Sequence, residues 1–302
     1  MTRLGSLAAG SLAIVLFDVG LWAQDRPVFK SGADVVLVDV SVRKGQAPVQ
    51  GLKVSDFQLL DKNVLQKIES VSQDAVPMDL SLIVDSSISV SGESRNRLMT
   101  SVKDIAGLLH ADDTFSLVLV SDRIEVVPPS QFYHRVSARP RHLGDGGTVL
   151  YDAIVASLME PAQPGRRHLI LTLSDAVDTN SVTSDAALQA TISRSDAVLY
   201  MVAVSDSSRG WAFERIANIA VPTTFDSTLS RLIVESGGRV LGFDPSESLV
   251  EPCRRIMDEI RSRYTLRYTP EGNDQGGWHD LAVKVGSGEY EVLARRGYFR
   301  RQ

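Results

Sequence analysis

The chain has 302 residues, of which 43% are hydrophobic and 23% are charged. This composition is that of a globular protein, long enough for one large domain and a smaller one. The formal net charge of -5 at pH 7 argues against a nucleic-acid-binding surface, which would need a basic stripe facing the phosphates. With a single cysteine, Cys253, the chain cannot form an intrachain disulfide, and the helical spacing around this residue predicts a buried apolar position.

The N-terminus combines a basic start, with Arg3, and a mostly apolar stretch over residues 4–23. This pattern is typical of an export signal, so we predict a signal peptide over residues 1–23 and a periplasmic or secreted protein. Asp18 makes the stretch a poor membrane span, because about 20 uninterrupted apolar residues would be needed. An uncleaved N-terminal anchor, which would be the protein's one contact with a membrane, and a buried N-terminal helix are the alternatives.

Residues 27–77 are predicted to form a small all-β segment. The valine-rich run "DVVLVDVSV" at 34–42 alternates in part between apolar and polar residues, which indicates a strand with one covered face. The corner Asp61-Lys62-Asn63 within the next apolar set predicts a hairpin. This segment is too short to bury a large core alone.

Residues 78–250 change to a rhythm of strand, helix and strand. The predicted strands are continuous apolar runs at 80–84, 115–120, 168–173 and 197–204, with a shorter one near residue 240. Strands without polar alternation are typical of a parallel sheet covered by helices on both faces. We therefore predict a doubly wound, mostly parallel α/β domain of the Rossmann-like kind.

The chain returns to β character after a helix predicted at 247–262. Apolar runs at 263–269, 278–285 and 289–299 are separated by Gly-rich turns and predict three strands. We expect the C-terminal segment 263–302 to pair with segment 27–77 as a second, smaller, discontinuous all-β domain. Two independent flaps are the alternative.

Oxygen-bearing side chains follow the predicted parallel strands at their carboxyl ends, where ligands bind in open α/β sheets. "DSSIS" ends the first strand, "GDGGT" precedes a helix, and "LSDAVD" ends a later strand. The candidate ligands contain no histidine or thiolate, so they suit Mg²⁺, or else Mn²⁺ or Ca²⁺. They are Asp85, Ser87, Ser89, Thr148 and Asp175.

These five residues resemble, in order, the metal-ion-dependent adhesion site (MIDAS) of von Willebrand factor type A (VWA) domains. The resemblance covers residues 78–250, and "GGTVLYDAI" and "LSDAVDTNS" are the segments that carry it most closely. The flanking segments resemble the bacterial VWFA-related group typical of acidobacteria. Ala176 departs from the family, which frequently has glycine at this position.

The resemblance implies a role for each candidate ligand. Ser87 and Ser89 would bind the ion through their hydroxyls, and Thr148 would bind it directly or through water. Asp85 and Asp175 would act directly or through bound waters and offset the charge of the ion. A Glu or Asp carboxylate of a partner protein would fill the remaining coordination position, which predicts a metal-dependent protein-binding module.

Other functions have less support in the sequence. No Gly-Lys-Ser/Thr follows the glycines of "GDGGT", so a nucleotide site is not expected. No GxSxG elbow is present, and the histidines are too scattered to bind a metal, so we predict a protein that is not an enzyme. Two alternatives stay open: a structural envelope component with a purely stabilising metal, and a metal-dependent hydrolase. We interpret Asp178 as a solvated loop residue, with a role in supporting the candidate ligands as the alternative, and the five histidines as surface or strand-end residues.

Overall fold

The structure is a computed structural model. It describes residues 35–45, 47–87, 92–137, 146–161, 163–204, 213–216, 219–222, 227–243, 248–272, 275–286 and 288–300, and in 92–97, 213–216 and 219–222 it describes the backbone alone. The export signal predicted for residues 1–23 and the predicted ligand Ser89 lie outside the described residues.

The described residues contain strands and helices that alternate along most of the chain. The strands are β1 Val36–Lys44, β2 Ala47–Pro48, β3 Phe57–Asp61, β4 Val64–Gln66, β5 Ile68–Ser72, β6 Met78–Asp85, β7 Thr114–Val120, β8 Ile124–Val127, β9 Arg167–Ser174, β10 Val198–Ala203, β11 Phe213–Ile216, β12 Ile219–Pro222, β13 Val240–Gly242, β14 Tyr264–Tyr268, β15 Gly277–Val285, β16 Glu291–Ala294 and β17 Gly297–Arg300. The helices are α1 Gly92–Ala106, α2 Phe132–Ser137, α3 Leu150–Met159, α4 Asp185–Arg194, α5 Ser227–Glu235 and α6 Val250–Arg261.

The central sheet has six strands in the order β13-β10-β9-β6-β7-β8. All neighbours are parallel except β7 and β8, which are antiparallel. Every residue of β9 and of β10 is buried, as expected for strands that are covered on both faces. The strand order reverses between β6 and β9, which makes the carboxyl ends of these two strands the topological switch point of the sheet.

Helices cover both faces of the central sheet, and the side chains of each strand alternate between two apolar cores. One core joins the sheet to α1, α2 and α6 and contains Leu82 and Val84. The other joins it to α3, α4 and α5 and contains Ile83. The predicted doubly wound α/β arrangement is therefore present. Cys253 on α6 is fully buried, and burial raises the pKa of its thiol, so it is a core residue as the sequence predicts.

Two antiparallel sheets combine strands from both terminal segments. In one, β1 lies between β14 and β16, with β5 beyond β14 and β2 on β1; in the other, the order is β17-β15-β3-β4. Residues of both sheets meet in a third apolar core that contains Val40, Leu59, Leu266 and Leu281. The residues from 35 onward fall in one compact unit, so the division into a separate second domain stays a prediction.

The β3–β4 hairpin has the corner that the sequence predicts. Asp61 pairs with Val64 across the turn, and the two residues between them, Lys62 and Asn63, both have positive φ, at 47° and 64°. Positive φ at both central residues is the mark of the tight hairpin turn whose twist matches that of the flanking strands.

One strand prediction is wrong, and the short edge strand β8 was not predicted. The run 289–299 was expected to be one strand, but β16 pairs with β1 and β17 pairs with β15. Between them, the backbone N–H of Arg296 donates to Glu235 O at 2.8 Å, which separates the two strands. Strand β8 was not expected, because it has four residues and is an exposed edge with Val126 half exposed.

Among the described helices, none combines the length and apolar character needed to cross a membrane.

Candidate metal centre

Asp85 lies at the switch point of the central sheet, at the carboxyl end of β6. The neighbouring parallel strand β9 ends at Ser174, one position past the pair Val84 and Leu173. Ser174 Oγ donates to Asp85 Oδ2 at 2.6 Å, and the backbone N–H of Ser87 donates to Asp85 Oδ1 at 2.9 Å. Asp85 is fully buried, so these contacts fix its carboxylate at a point where loops converge.

The carboxyl groups of Asp85 and Asp175 interact electrostatically at this point. Burial raises the pKa of Asp85; hydrogen bonds from Ser174 and Ser87 lower it in part, and the charge of Asp175 raises it further. Asp175 is half-buried, and its Oδ1 accepts from the backbone N–H of Val177 at 3.2 Å. A bound cation would offset both carboxylates and favour their charged forms.

Ala176 has a backbone conformation that normally favours glycine. Its φ is +62°, in the left-handed region that other L-residues enter at a cost of about 1–2 kcal/mol. The residue is buried, and its backbone N–H donates to Ser174 Oγ at 3.0 Å. The departure from glycine noted in the sequence therefore lies at a tight turn between the last residue of β9 and the loop beyond Asp175.

Thr148 is held by the loop that follows β9. Its N–H donates to Thr179 Oγ1 at 2.8 Å, and its carbonyl oxygen accepts from the N–H groups of Thr179 and Asn180 at 3.0 and 3.1 Å. Gly147 precedes it with φ +92°, and a Cβ there would lie 2.2 Å from Asn180 Nδ2. Because the exposed Asn180 side chain can move aside, the positive φ is what favours glycine at this position.

A second set of contacts connects α3 to the same loop. Asp178 Oδ1 accepts from Tyr151 N at 3.1 Å and from Ser181 Oγ at 2.6 Å. In return, Asp152 Oδ1 and Oδ2 accept from the backbone N–H groups of residues 183 and 182. Asp178 therefore satisfies a free N–H in the first turn of α3, and its interpretation as a solvated loop residue is wrong. Its signal in the sequence was the Asp-x-x-Ser spacing after a strand.

The described part of the chain thus contains four of the five predicted ligands. Asp85 and Ser87 lie at the end of β6, Asp175 lies one residue beyond β9, and Thr148 is hydrogen-bonded to the loop that follows Asp175. No cluster of three or more His, Cys, Asp or Glu that could hold a metal occurs among the described residues. A cation at this site would therefore need hydroxyl oxygens besides the two carboxylates, and shared coordination by the five residues stays a prediction.

No family model matches the chain, and no curated protein matches it. Among solved structures, a von Willebrand factor type A protein from Catenulispora acidiphila is 12% identical, with a TM-score of 0.47 over 88% of this chain and 75% of its own. An aerotolerance-related membrane protein from Bacteroides fragilis is 16% identical, with a TM-score of 0.42 over 61% of this chain and 98% of its own.

Proximal thread matrix protein 1 from the mussel byssus, in a structure with a zinc-occupied MIDAS motif, is 13% identical. Its TM-score is 0.43 over 66% of this chain and 49% of its own. The solved structures similar to the chain therefore include VWA domains, the fold that the sequence predicts. Identities of 16% or less and TM-scores below 0.5 give no basis for transferring a function.

Proposed function

We propose that this chain is a protein-binding module in which a divalent cation at the switch point bridges to an acidic residue of a partner protein. The observation that supports the proposal is the buried Asp85, fixed by Ser174 and Ser87, with the charge of Asp175 close enough to raise its pKa. Two carboxylates in a poorly solvated place favour a cation. We further propose that it acts in the periplasm or outside the cell, because its first residues have the pattern of an export signal.

The available donors fit a hard cation. They are carboxylates and hydroxyls, the oxygens that Mg²⁺, Mn²⁺ and Ca²⁺ prefer. We assign the proposed coordination to Asp85, Ser87, Ser89, Thr148 and Asp175. The ion, when bound, supplies positive charge and one coordination position for a partner's carboxylate.

The test begins with the ion itself. Calorimetric titration of the full chain with MgCl₂ and MnCl₂ should give saturable heats, and Asp85→Asn should weaken the affinity by about 10–100-fold. Asparagine has nearly the same size as aspartate, so Asp85→Asn changes the charge of the site and replaces one hydrogen-bond acceptor with a donor. Both oxygens of Asp85 accept hydrogen bonds, so one of these bonds is disturbed. The fold should persist by circular dichroism.

The matched control is Asp79→Asn, at the opposite end of the same strand, where Asp79 Oδ1 accepts from Thr114 Oγ1 at 2.6 Å. This variant should bind the ions like the parent chain. Partner capture from envelope extract should then require Mg²⁺, stop with EDTA and fail with Asp85→Asn. Capture that is indifferent to all three conditions would rule out the bridging role.

A structural role for the ion is the second candidate, and the burial of the donors favours it. The exposed fractions of Asp85, Ser87 and Thr148 are 0%, 4% and 3%, as expected for an ion that joins loops. In that case EDTA would lower the melting temperature of the isolated protein and leave every association unchanged.

A further inference from the structure

A cavity lies at the amino-terminal ends of the parallel strands of the central sheet, at the opposite ends from the candidate metal centre. This cavity of about 510 Å³ is lined by residues that precede β6, β9 and β10 and by residues of β1 and β14. The switch point, by contrast, is at the carboxyl ends of β6 and β9. The cavity therefore shares no residue with the candidate metal centre.

The lining of the cavity carries more positive than negative charge. Its charged residues are four arginines and two aspartates: Arg166, Arg167, Arg263, Arg295, Asp39 and Asp196. One aspartate is already engaged by the protein, because Asp39 accepts from Arg167 Nε at 3.2 Å and from Thr265 Oγ1 at 2.7 Å. Arg167 is engaged in the same way, since each of its three nitrogens donates within the protein. Arg166 Nη1 donates to Asp112 O, and Arg295 donates through Nε and Nη2 to backbone carbonyl oxygens. The arginines of the lining outnumber its aspartates by two.

Arg263 has donors that the protein leaves without acceptors. The residue is fully buried, and its Nη2 donates to Tyr200 Oη at 2.8 Å and to Gly237 O at 2.6 Å. Its Nε and Nη1 are buried and, within the described residues, have no hydrogen-bond partner. A buried donor without a partner costs about 1–3 kcal/mol. Both nitrogens are enclosed by protein, so a ligand would accept from them only after the Arg263 side chain turned toward the cavity.

Glu259, the carboxylate that pairs with Arg263, does not neutralise the arginines around it by itself. Glu259 lies 3.6 Å from Arg263 Nη2, but it also contacts Arg239 Nη2 at 3.3 Å and Arg43 Nη1 at 2.9 Å. Burial lowers the pKa of Arg167; the charge of Asp39 raises it in part, and the positive charge of Arg263 lowers it. One carboxylate is therefore shared by three guanidinium groups beside an already basic cavity.

We propose that this cavity binds a small molecule through an oxyanion, either a carboxylate or a phosphate. Planar guanidinium groups suit both anions, since they can donate two parallel hydrogen bonds to each. The volume is within the range of small-molecule sites. Leu37 and Val198 also line the cavity and provide apolar surface for the carbon skeleton of the ligand.

The test uses the full chain, with sodium phosphate and sodium succinate as probes at constant ionic strength set with NaCl. At least one probe should bind with a Kd of roughly 1 mM or tighter by calorimetry. Tighter binding of phosphate would indicate a phosphorylated ligand, and tighter binding of succinate would indicate an organic acid.

Arg263→Met and Arg166→Gln should each weaken the binding of the probe by about tenfold or more. Arg166 is half-buried, so its variant keeps the test valid if Arg263→Met does not fold. The matched control is Arg254→Gln, an exposed arginine of α6 outside the cavity, which should bind like the parent chain. Absence of saturable binding by both probes, or equal affinity in Arg166→Gln, would overturn the proposal.

Discussion

His279 lies at the centre of a buried polar network in the antiparallel sheets. Its Nδ1 is 2.8 Å from Asp61 Oδ1, and its Nε2 is 2.7 Å from Gln275 O. A carbonyl oxygen only accepts, so Nε2 carries a hydrogen. Asp61 Oδ2 also accepts from the hydroxyls of Tyr268 and Tyr298 at 2.9 and 3.0 Å. Burial raises the pKa of Tyr298 to about 12, so this phenol stays a donor at neutral pH.

We expect His279→Ala to lower the free energy of unfolding by about 3 kcal/mol or more, because it removes the imidazole that contacts Asp61 Oδ1 within a fully buried pair. Urea unfolding at pH 7 measures the change. His110→Ala is the control, since His110 is exposed and surface substitutions change stability by about 0.5 kcal/mol or less. Equal losses in the two variants would contradict a structural role for the network.

His279 is an example of a buried polar residue whose contacts cannot be predicted from the sequence. The sequence predicts a surface or strand-end histidine, yet the residue is fully buried. Its burial could not be predicted because its partner Asp61 lies 218 positions earlier in the chain. Asp85 and Asp175, in contrast, could be placed from sequence, because each directly follows or ends an apolar run. Local patterns indicate strand ends; distant pairs have no local signal.

At the scale of elements, α6 joins the central sheet to the antiparallel sheets through Glu259. Its carboxylate contacts Arg43 of β1 as well as Arg239 and Arg263. Burial raises the pKa of Glu259, but the charges of Arg239, Arg263 and Arg43 and the hydrogen bond from Tyr200 together outweigh burial, so the pKa is lowered overall. A carboxyl group whose pKa is lowered by folding stabilises the protein at pH values above its pKa in the unfolded chain. This stabilisation is lost as the pH falls through its pKa in the folded protein.

Glu259→Gln should therefore destabilise the protein by about 3–5 kcal/mol at pH 7, since the buried arginines lose their counter-charge. The difference from the parent chain should shrink as the pH falls below the normal pKa of glutamate, about 4.3. Thermal unfolding of both proteins between neutral and acid pH measures it.

Glu251→Gln on the same helix is the matched control. The side chain of Glu251 is 47% exposed and pairs with Arg254 and Arg255, and a solvent-accessible ion pair is worth about 0–1 kcal/mol. A difference for Glu259→Gln that is small at pH 7, or that grows in acid, would contradict the proposed balance of charges.

The elements that the sequence predicted correctly are those with continuous apolar runs. The run at 80–84 became β6, Met78–Asp85, and 197–204 became β10, Val198–Ala203. The run 289–299 was misread because its break depends on the contact between Arg296 and Glu235, which belongs to α5. Tertiary contacts of this kind set strand ends that residue patterns leave open.

At the scale of the whole molecule, polar contacts connect the antiparallel sheets to the α/β part. Asp39 of β1 pairs with Arg167 of β9, and Arg295 Nη2 donates to Ser195 O at 2.7 Å. Gly237, between α5 and β13, lies so close to the end of β16 that a Cβ there would be 2.9 Å from Ala294 C. The two parts therefore share contacts that neither part could make alone.

We expect the two parts to unfold together. Differential scanning calorimetry should give one transition, and Val38→Ala in the third core should lower its temperature without splitting it, because large-to-small core substitutions cost about 0.5–5 kcal/mol. The control is Val126→Ala on the exposed edge strand β8, which should leave the temperature nearly unchanged. Two resolved transitions would instead support independent domains.

Strand β9 runs from one proposed ligand site to the other. It begins at Arg167, beside the basic cavity, and ends at Ser174, beside Asp175. Seven steps of about 3.3 Å separate its ends by roughly 23 Å, a distance at which two unit charges attract by about 0.7 kcal/mol at an effective dielectric constant of about 20. An anion and a cation could therefore occupy the same molecule at once with little direct attraction, and any larger cooperativity between them would have to travel through the packing of this strand.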